Sequence, residues 1–412
     1  MFGSGNTPGG PLFIDVGSTL IKAAFQLPEY SSRPEFYPRG YGSQPNEQIP
    51  QIINLQKQSH PEINSVRICS SANGGIKVGI ISITHEYSGT LAKRAAMSGG
   101  ANVLYTITLN SPGISNLPSV DLLIVAGGTE ASATAHAGWL EEVFKYIKFD
   151  AQVIFSGPAS LFFTAQQLWE NCVYSSNVMS EDLAYRGNDL SNLVRDAYLM
   201  DLADHKGISE LADISDTPIF STPAVVHAAY DTVQTFSKYA NLLPLVVIDI
   251  GGATTDIYFG ADVVSDDCKL ATGSSSFRHV FTQIGLNSSR QSTLRLLSEA
   301  SRLSSFITAA GIIDIEERYF LIRAEECDWV TDELLALACF FLAFSELTTC
   351  EEWRGQLCLE RVQGLVITGG AGQLINERSL RQLTPLFFND FIQVDVDTDY
   401  TFWTLGLASA NQ

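Results

Sequence analysis

Short apolar runs, each closed by glycine and small hydroxyl residues, recur along the chain and set the elements it predicts. Leu12-Phe13-Ile14-Asp15-Val16 reads as a buried strand, Gly17-Ser18-Thr19 breaks it, and the apolar–polar stretch Leu20 to Phe25 returns as a second strand. Beyond the Pro-rich stretch Pro28 to Pro50, the pattern predicts a helix near Gln51–Gln58 and strands at Val66–Cys69 and Lys77–Ser82. A helix at Ser88–Met97 and a strand at Val103–Leu109 come next. Asp121–Val125 is a further buried strand ending in Ala126-Gly127-Gly128-Thr129, with a helix expected from Thr129, whose hydroxyl can cap it. Strand Gln152–Phe155 leads into a helix near Ala159–Glu170, and the more polar Tyr174–Asp216 reads as mainly helical. Thr222-Pro223 predicts a helix over Ala224–Tyr239, with Thr as cap and Pro at the first helical position.

A second strand-turn-strand then appears: Leu245–Ile250, Gly251-Gly252-Ala253-Thr254-Thr255, and Asp256–Phe259. Helical segments are expected at Gln291–Phe306 and, fully buried, at Asp332–Ser345. The strand Gly364–Ile367, the turn Thr368-Gly369-Gly370-Ala371-Gly372 and a last helix at Thr401–Ala410 complete the chain. Asp15-Val-Gly-Ser-Thr and Asp249-Ile-Gly-Gly-Ala-Thr-Thr are the same element, 249 − 15 = 234 residues apart. An α/β unit used twice implies two like domains facing across a cleft, with a ligand between the turns. The expected division is a flexible start at 1–11, a first domain at 12–240 and a second at 241–412, the last helix packing back on the first.

The turns carry the candidate chemistry. Glycine lets the backbone approach a ligand so that amide N–H groups converge on phosphate oxygens, and Ser or Thr hydroxyls add donors. Asp15 and Asp249, each at a strand end beside such a turn, are placed to hold a hydrated Mg²⁺ that neutralises those phosphates. Two more glycine corners, Gly127-Gly128-Thr129 and Gly369-Gly370-Ala371-Gly372, follow strands where ligands bind at sheet ends. Neither completes a dinucleotide fingerprint, and the chain has no P-loop, no nucleophile elbow and no H-E-x-x-H zinc motif.

Composition narrows the partners. The chain of 412 residues carries 25 Lys and Arg against 45 Asp and Glu, a net charge of −20, which repels nucleic acid and anionic membrane surfaces. Its seven cysteines are scattered without a C-x-x-C pair, as expected of a reducing compartment, and no leader-like segment opens the sequence. The longest apolar stretch, Leu334–Phe344, is too short to cross a bilayer. A cytoplasmic protein is expected.

The paired turns resemble the phosphate motifs of the actin, sugar kinase and Hsp70 ATPase superfamily, and Thr368–Gly372 resembles its adenosine motif. Within it the chain is similar to the MutL family of the glutamate mutase system. The stretches carrying this resemblance are Phe13-Ile-Asp-Val-Gly-Ser-Thr with Lys22, Cys69-Ser-Ser-Ala-Asn-Gly-Gly, Ala92-Lys-Arg-Ala-Ala, Leu123-Ile-Val-Ala-Gly-Gly-Thr, Thr222-Pro-Ala-Val-Val and Asp249-Ile-Gly-Gly-Ala-Thr-Thr-Asp. The resemblance implies an α/β fold of two actin-like (ribonuclease H-like) domains around a nucleotide cleft, binding ATP and Mg²⁺. It also implies a role as chaperone or reactivating factor for an adenosylcobalamin-dependent mutase. Asp15, Gly17, Ser18, Thr19 and Lys22 would form the first phosphate site. Asp249, Gly251, Gly252, Ala253, Thr254, Thr255 and Asp256 would form the second, while Gly369, Gly370 and Gly372 would back the adenosine. Asp15, Asp249 and Asp256 are the expected catalytic carboxylates. The family's acidic segment after the second phosphate motif is replaced by Ala271-Thr-Gly-Ser-Ser-Ser-Phe277. A small-molecule kinase on the same fold and a non-catalytic scaffold are the alternative readings.

Overall fold

The computed structural model describes residues 9–17, 20–27, 30–39, 45–70, 76–147, 150–182, 184–205, 209–233, 238–266, 276–311, 332–350 and 353–409. Strand β1 (Gly10–Val16) and strand β2 (Leu20–Leu27) form an antiparallel hairpin in which Asp15 lies opposite Lys22. The short β3 (Tyr30–Ser31) and β4 (Glu35–Pro38) both add to β2. After helix α1 (Pro45–Ser59), β5 (Ile63–Ser70) returns parallel to β1.

The chain then leaves this sheet and builds another. Its strands are β6 (Lys77–Ser82), β7 (Asn102–Ile107), β8 (Leu122–Ala126), β9 (Gln152–Ser156) and β10 (Cys172–Ser175). They pair only in parallel, in the order β10-β9-β8-β6-β7. Helices α2 (Thr90–Ser98), α3 (Ala133–Tyr146) and α4 (Phe162–Leu168) make its crossovers, as a parallel sheet requires. Helices α5 (Asn188–His205) and α6 (Ser209–Ala212) bring the chain back to β11 (Phe220–Ser221), parallel to β5, and α7 (Thr222–Thr232) follows. The first sheet therefore reads β4-β2-β1-β5-β11, with a complete doubly wound layer inserted between its last two strands.

The second half repeats the first. Strands β12 (Leu245–Ile250), β13 (Thr255–Gly260) and β14 (Ser276–Phe281) form an antiparallel meander. Strand β15 (Gly364–Gly369) lies parallel to β12, and β16 (Gln393–Val396) parallel to β15. The order β14-β13-β12-β15-β16 matches β4-β2-β1-β5-β11 in sequence and strand direction. That is the ribonuclease H-like unit occurring twice, as in actin-like proteins. Helices α8 (Arg290–Leu297), α9 (Ala300–Ala309), α10 (Asp332–Thr349) and α11 (Glu377–Leu383) belong to this unit. Helix α10 is buried at every position from Leu335 to Phe344, which is why its sequence is apolar all round and not striped. Its Phe340 and Phe344 share a core with Ile248, Ile257 and Phe259.

Six strands were not predicted, among them the short β3, β4 and β11. Strand β10 has four residues, β14 carries the buried polar Arg278 and His279, and β16 carries Asp395, so none reads as an apolar run. Residues expected to be helical beyond Tyr174 include the last two of β10. Helix α7 runs to Thr232, residues 234–237 of the expected helix lie outside the described residues, Tyr239 lies in a turn, and the cap is Ser221, whose hydroxyl accepts from the Ala224 amide. Residues 271–275 of the departed segment lie outside the described residues, as do 1–8 of the expected flexible start. No helix among the described residues is long and apolar enough to cross a membrane, and the five described cysteines are free.

The last helix, α12 (Thr401–Ser409), lies against α7. Its Trp403 ring meets Phe13 edge-on with centroids 6.3 Å apart, and Arg67 donates to the Leu407 carbonyl at 3.0 Å. The two helices approach so closely that a Cβ on Gly406 would lie 1.9 Å from the Val225 carbonyl oxygen. A Gly406→Ala substitution is expected to force the helices apart and lower unfolding stability by about 2 kcal/mol or more, as overpacking against backbone does. Chemical denaturation checks this; an unchanged midpoint would refute the close approach.

Candidate functional site

The two hairpin turns close in the same way. The Gly17 amide donates to the Leu20 carbonyl and the Gly251 amide to the Thr254 carbonyl, each at 2.9 Å. Register makes the parallel complete, since Asp15 faces Lys22 across the first hairpin and Asp249 faces Asp256 across the second. The duplicated aspartates are thus equivalent in the fold, while their cross-strand partners have opposite charge. Both hairpins open on one cavity of about 100 Å³, between the units.

Asp15 is fully buried at its floor. Lys22 Nζ lies 2.8 Å from one carboxylate oxygen, and Thr222 Oγ1 donates to the other at 2.6 Å, with Cys69 Sγ 3.6 Å away. Burial pulls the Lys22 ammonium pKa down, but Asp15, Tyr400 and Asp249 outweigh it, so the net displacement is upward and the lysine stays charged. Lys22 Nζ also sits 4.8 Å from the centre of the Tyr400 ring. Tyr400 has φ of 51°, a left-handed backbone uncommon for an aromatic residue, held where it closes the cavity wall.

Asp249 is the strained carboxylate. Burial first, then repulsion from Asp256 and Asp15, push its pKa up to about 7, with Lys22 and Arg278 pulling the other way. Asp256, 3% exposed, is held by the Arg278 guanidinium, whose Nε and Nη2 lie 2.8 and 2.5 Å from Oδ1. Thr254 Oγ1 lies 3.2 Å from the other oxygen. Three carboxylates thus converge on a small cavity whose nearby cations are Lys22 and the already engaged Arg278. A divalent cation fits that shortage of positive charge. Among the described residues no group of three metal-ligating side chains is close enough to hold an ion by itself.

Of the expected phosphate residues, Gly17, Lys22, Gly251, Gly252, Ala253 and Thr254 line the cavity. Ser18 and Thr19 lie outside the described residues. Thr255 is turned into the sheet, where its hydroxyl donates to the Ile284 carbonyl at 3.1 Å. Gly369 and Gly370 line the cavity, and Gly369, at φ 77°, has room for nothing else: a Cβ there would lie 2.0 Å from Asp249 Oδ1. Gly372 is buried behind them, with a Cβ position 2.7 Å from the Asp397 carbonyl. Gly127, Gly128 and Thr129 line no part of this cavity. They follow β8 of the inserted sheet, where Thr129 and Ser132 make a capping box and Asn177 donates to the Gly128 carbonyl at 2.5 Å.

Thr222, Pro223 and Tyr400, which line the cavity, and Arg278, which grips Asp256, had no site role in the sequence reading. Thr222 was read as a helix cap, a hydroxyl at a helix start being ambiguous between a cap and a ligand contact. Arg278 lies on a strand that the pattern missed.

Two ribonuclease H-like units closing on a shared pocket define an actin-like ATPase fold. The sequence profile of the MutL protein family matches residues 12–371, and the chain belongs to that family. Protein MutL of Clostridium tetanomorphum is 28% identical over 222 residues, which is 49% of this chain and 46% of that relative, so the match spans less than half of the relative's length. Among solved structures, component A of the Acidaminococcus fermentans (R)-2-hydroxyglutaryl-CoA dehydratase is 11% identical, with 98% of each chain covered and a TM-score of 0.38. Xylulose kinase from Bifidobacterium adolescentis is also 11% identical, with 98% of this chain and 93% of that one covered and a TM-score of 0.34.

A carboxylate whose pKa is raised on folding stabilises the fold fully below its unfolded value near 4, and that contribution is lost as pH rises toward 7. Asn at this position does not titrate. In protein free of nucleotide and metal, Asp249→Asn is therefore expected to be more stable than wild type, by about 1–2 kcal/mol at pH 8, once screening is allowed for. The gap should narrow between pH 7 and pH 5.5. Melting curves across that range test it, and a variant less stable than wild type at pH 8 would overturn the assignment.

Proposed function

We propose that this chain binds Mg-ATP between its two phosphate turns and hydrolyses it to act on a protein partner, as a reactivating chaperone for an adenosylcobalamin-dependent mutase. The observation that carries the reading is the convergence of Asp15, Asp249, Asp256 and Lys22 with both glycine turns on one cavity. Membership of the MutL family and the resemblance to the glutamate mutase system support the choice of partner.

The cavity takes the phosphate end of a nucleotide, not the whole of it, and Gly369 and Gly370 supply a side-chain-free edge along which ribose and base would extend. The Gly17 and Gly251 amides are engaged in closing their hairpins, so the amides of Gly252, Ala253 and Thr254 would meet the phosphates, while Lys22 adds positive charge and Asp15 and Asp249 would hold the metal's water shell. A bound Mg²⁺ supplies charge neutralisation for phosphoryl transfer to water. Asp256, with one oxygen on Arg278, is fixed to orient the attacking water through the other. Two units joined through the packed helices α7 and α12 would supply a two-state element, and a partner responds to it only if ATP and ADP forms bind that partner with different affinity.

Mg-ATP at about 100 times its dissociation constant is expected to stabilise the protein by roughly 2.7 kcal/mol. Cognate mutase inactivated by damaged cofactor should regain activity with this protein, ATP, Mg²⁺ and fresh cofactor, and not with a non-hydrolysable ATP analogue. Recovery equal with and without the protein removes the reactivating role. Phosphoryl transfer to a metabolite in a substrate panel would support the kinase alternative. Absence of any thermal or calorimetric response to nucleotide would leave the scaffold reading.

A further inference from the structure

We propose that Arg278 is a positioning residue that ties the Asp256 carboxylate to helix α2, making the inserted parallel sheet the part of the molecule that responds to the nucleotide pocket. The inference rests on the proposed nucleotide site and extends it to a coupling path. Arg278 is 5% exposed and lies on β14 of the second unit. Its Nε and Nη2 grip Asp256 Oδ1, and its third nitrogen, Nη1, donates to the Met97 carbonyl at 3.0 Å in the last turn of α2. The guanidinium is planar and rigid, so its nitrogens move as one body. A carboxylate that turns toward a ligand in the pocket must therefore drag or release the bond to Met97.

Helix α2 has little slack to absorb such a movement. Its Arg94 is inserted into the second unit, 4.2 Å from the centre of the Trp353 ring, and donates to Gln356 Oε1 at 2.9 Å. On the opposite side, a Cβ on Gly99 would lie 2.5 Å from the Ser191 carbonyl of α5. Because α2 connects β6 to β7, displacement of its C-terminal turn is displacement of the inserted sheet. The positive charge at the C-terminal end of α2 also suits the helix dipole, so the contact is favourable while it lasts. Breaking the buried pair leaves a charge uncompensated, which gives the arrangement two distinct states and not a continuum.

Hydrogen–deuterium exchange of α2 tests this, with α11 as internal control and calorimetry on the same samples. In wild type, Mg-ADP and Mg-ATP should change exchange at Ala95–Gly100 by about threefold or more and leave α11 unmoved. Arg278→Lys keeps a cation beside Asp256 but cannot reach both partners. It should retain nucleotide binding within about tenfold and lose the α2 response. Asp256→Asn, measured without nucleotide, should by itself speed exchange at Ala95–Gly100. An α2 that ignores bound nucleotide in wild type, or an Arg278→Lys protein that keeps the full response, overturns the proposal. If calorimetry finds no nucleotide binding, the proposed function falls, and the Asp256→Asn measurement alone decides: faster α2 exchange upholds the tie, unchanged exchange refutes it. Should either variant fail to fold, the wild-type comparison and the other variant still decide whether the tie exists.

Discussion

Three carboxylates held around one buried cavity are the constraint on which the rest of the molecule turns. Like charges this close repel, and burial makes the repulsion costly, so the fold surrounds them with specific counterweights: Lys22 and Thr222 on Asp15, Arg278 on Asp256. Asp249 has no ion pair of its own among the described residues, and burial, with repulsion from Asp256 and Asp15, raises its pKa to about 7. A site arranged this way is poorly satisfied when empty. Under the proposed function a cation would relieve that repulsion, which would couple metal and nucleotide binding to stability.

The duplicated hairpin explains how the carboxylates come to face one another. Asp15 and Asp249 occupy the same register position in two copies of one sheet, and the copies meet through α7 and α12. The copies have diverged at the opposite strand, where the first has Lys22 and the second Asp256. That difference gives the cavity a cation on one wall and a second carboxylate on the other. Symmetry brings the groups together, and its breakage makes the two sides chemically distinct.

How much of this was legible follows from the same features. Asp15-x-Gly and Asp249-x-Gly-Gly were readable because a buried strand ending in Asp and glycine is a compact local signal, and its repetition is informative without any long-range knowledge. Strands β1, β2, β12, β13 and β15 were readable for the same reason. The inserted sheet was visible as separate strands but not as a separate layer, since strand order is set by pairing and not by the apolar pattern. Strand β14 was hidden because Arg278 and His279 interrupt its apolar run, and what makes them tolerable in the core is their partners: Asp256 for one, and Trp353 donating to the ring of the other at 3.1 Å. Thr222 and Tyr400 were hidden because nothing local distinguishes a helix-start threonine or a loop tyrosine that lines a pocket from one that does not.

The inserted sheet also gives the glycine corner at Gly127-Gly128 a context that sequence could not. Its likeness to the phosphate turns is one of composition, for the corner follows a strand in a different layer and its polar groups are engaged locally by Asn177 and Ser132. The layer touches the second unit through α2, where Arg94 crosses one way into the aromatic cluster at Trp353 and Arg278 crosses the other way to Met97. Reciprocal buried arginines are an expensive way to join two surfaces that apolar side chains could join more cheaply. One of the two ends on a carboxylate lining the pocket, so the join carries a charge-dependent contact that a purely apolar interface would lack.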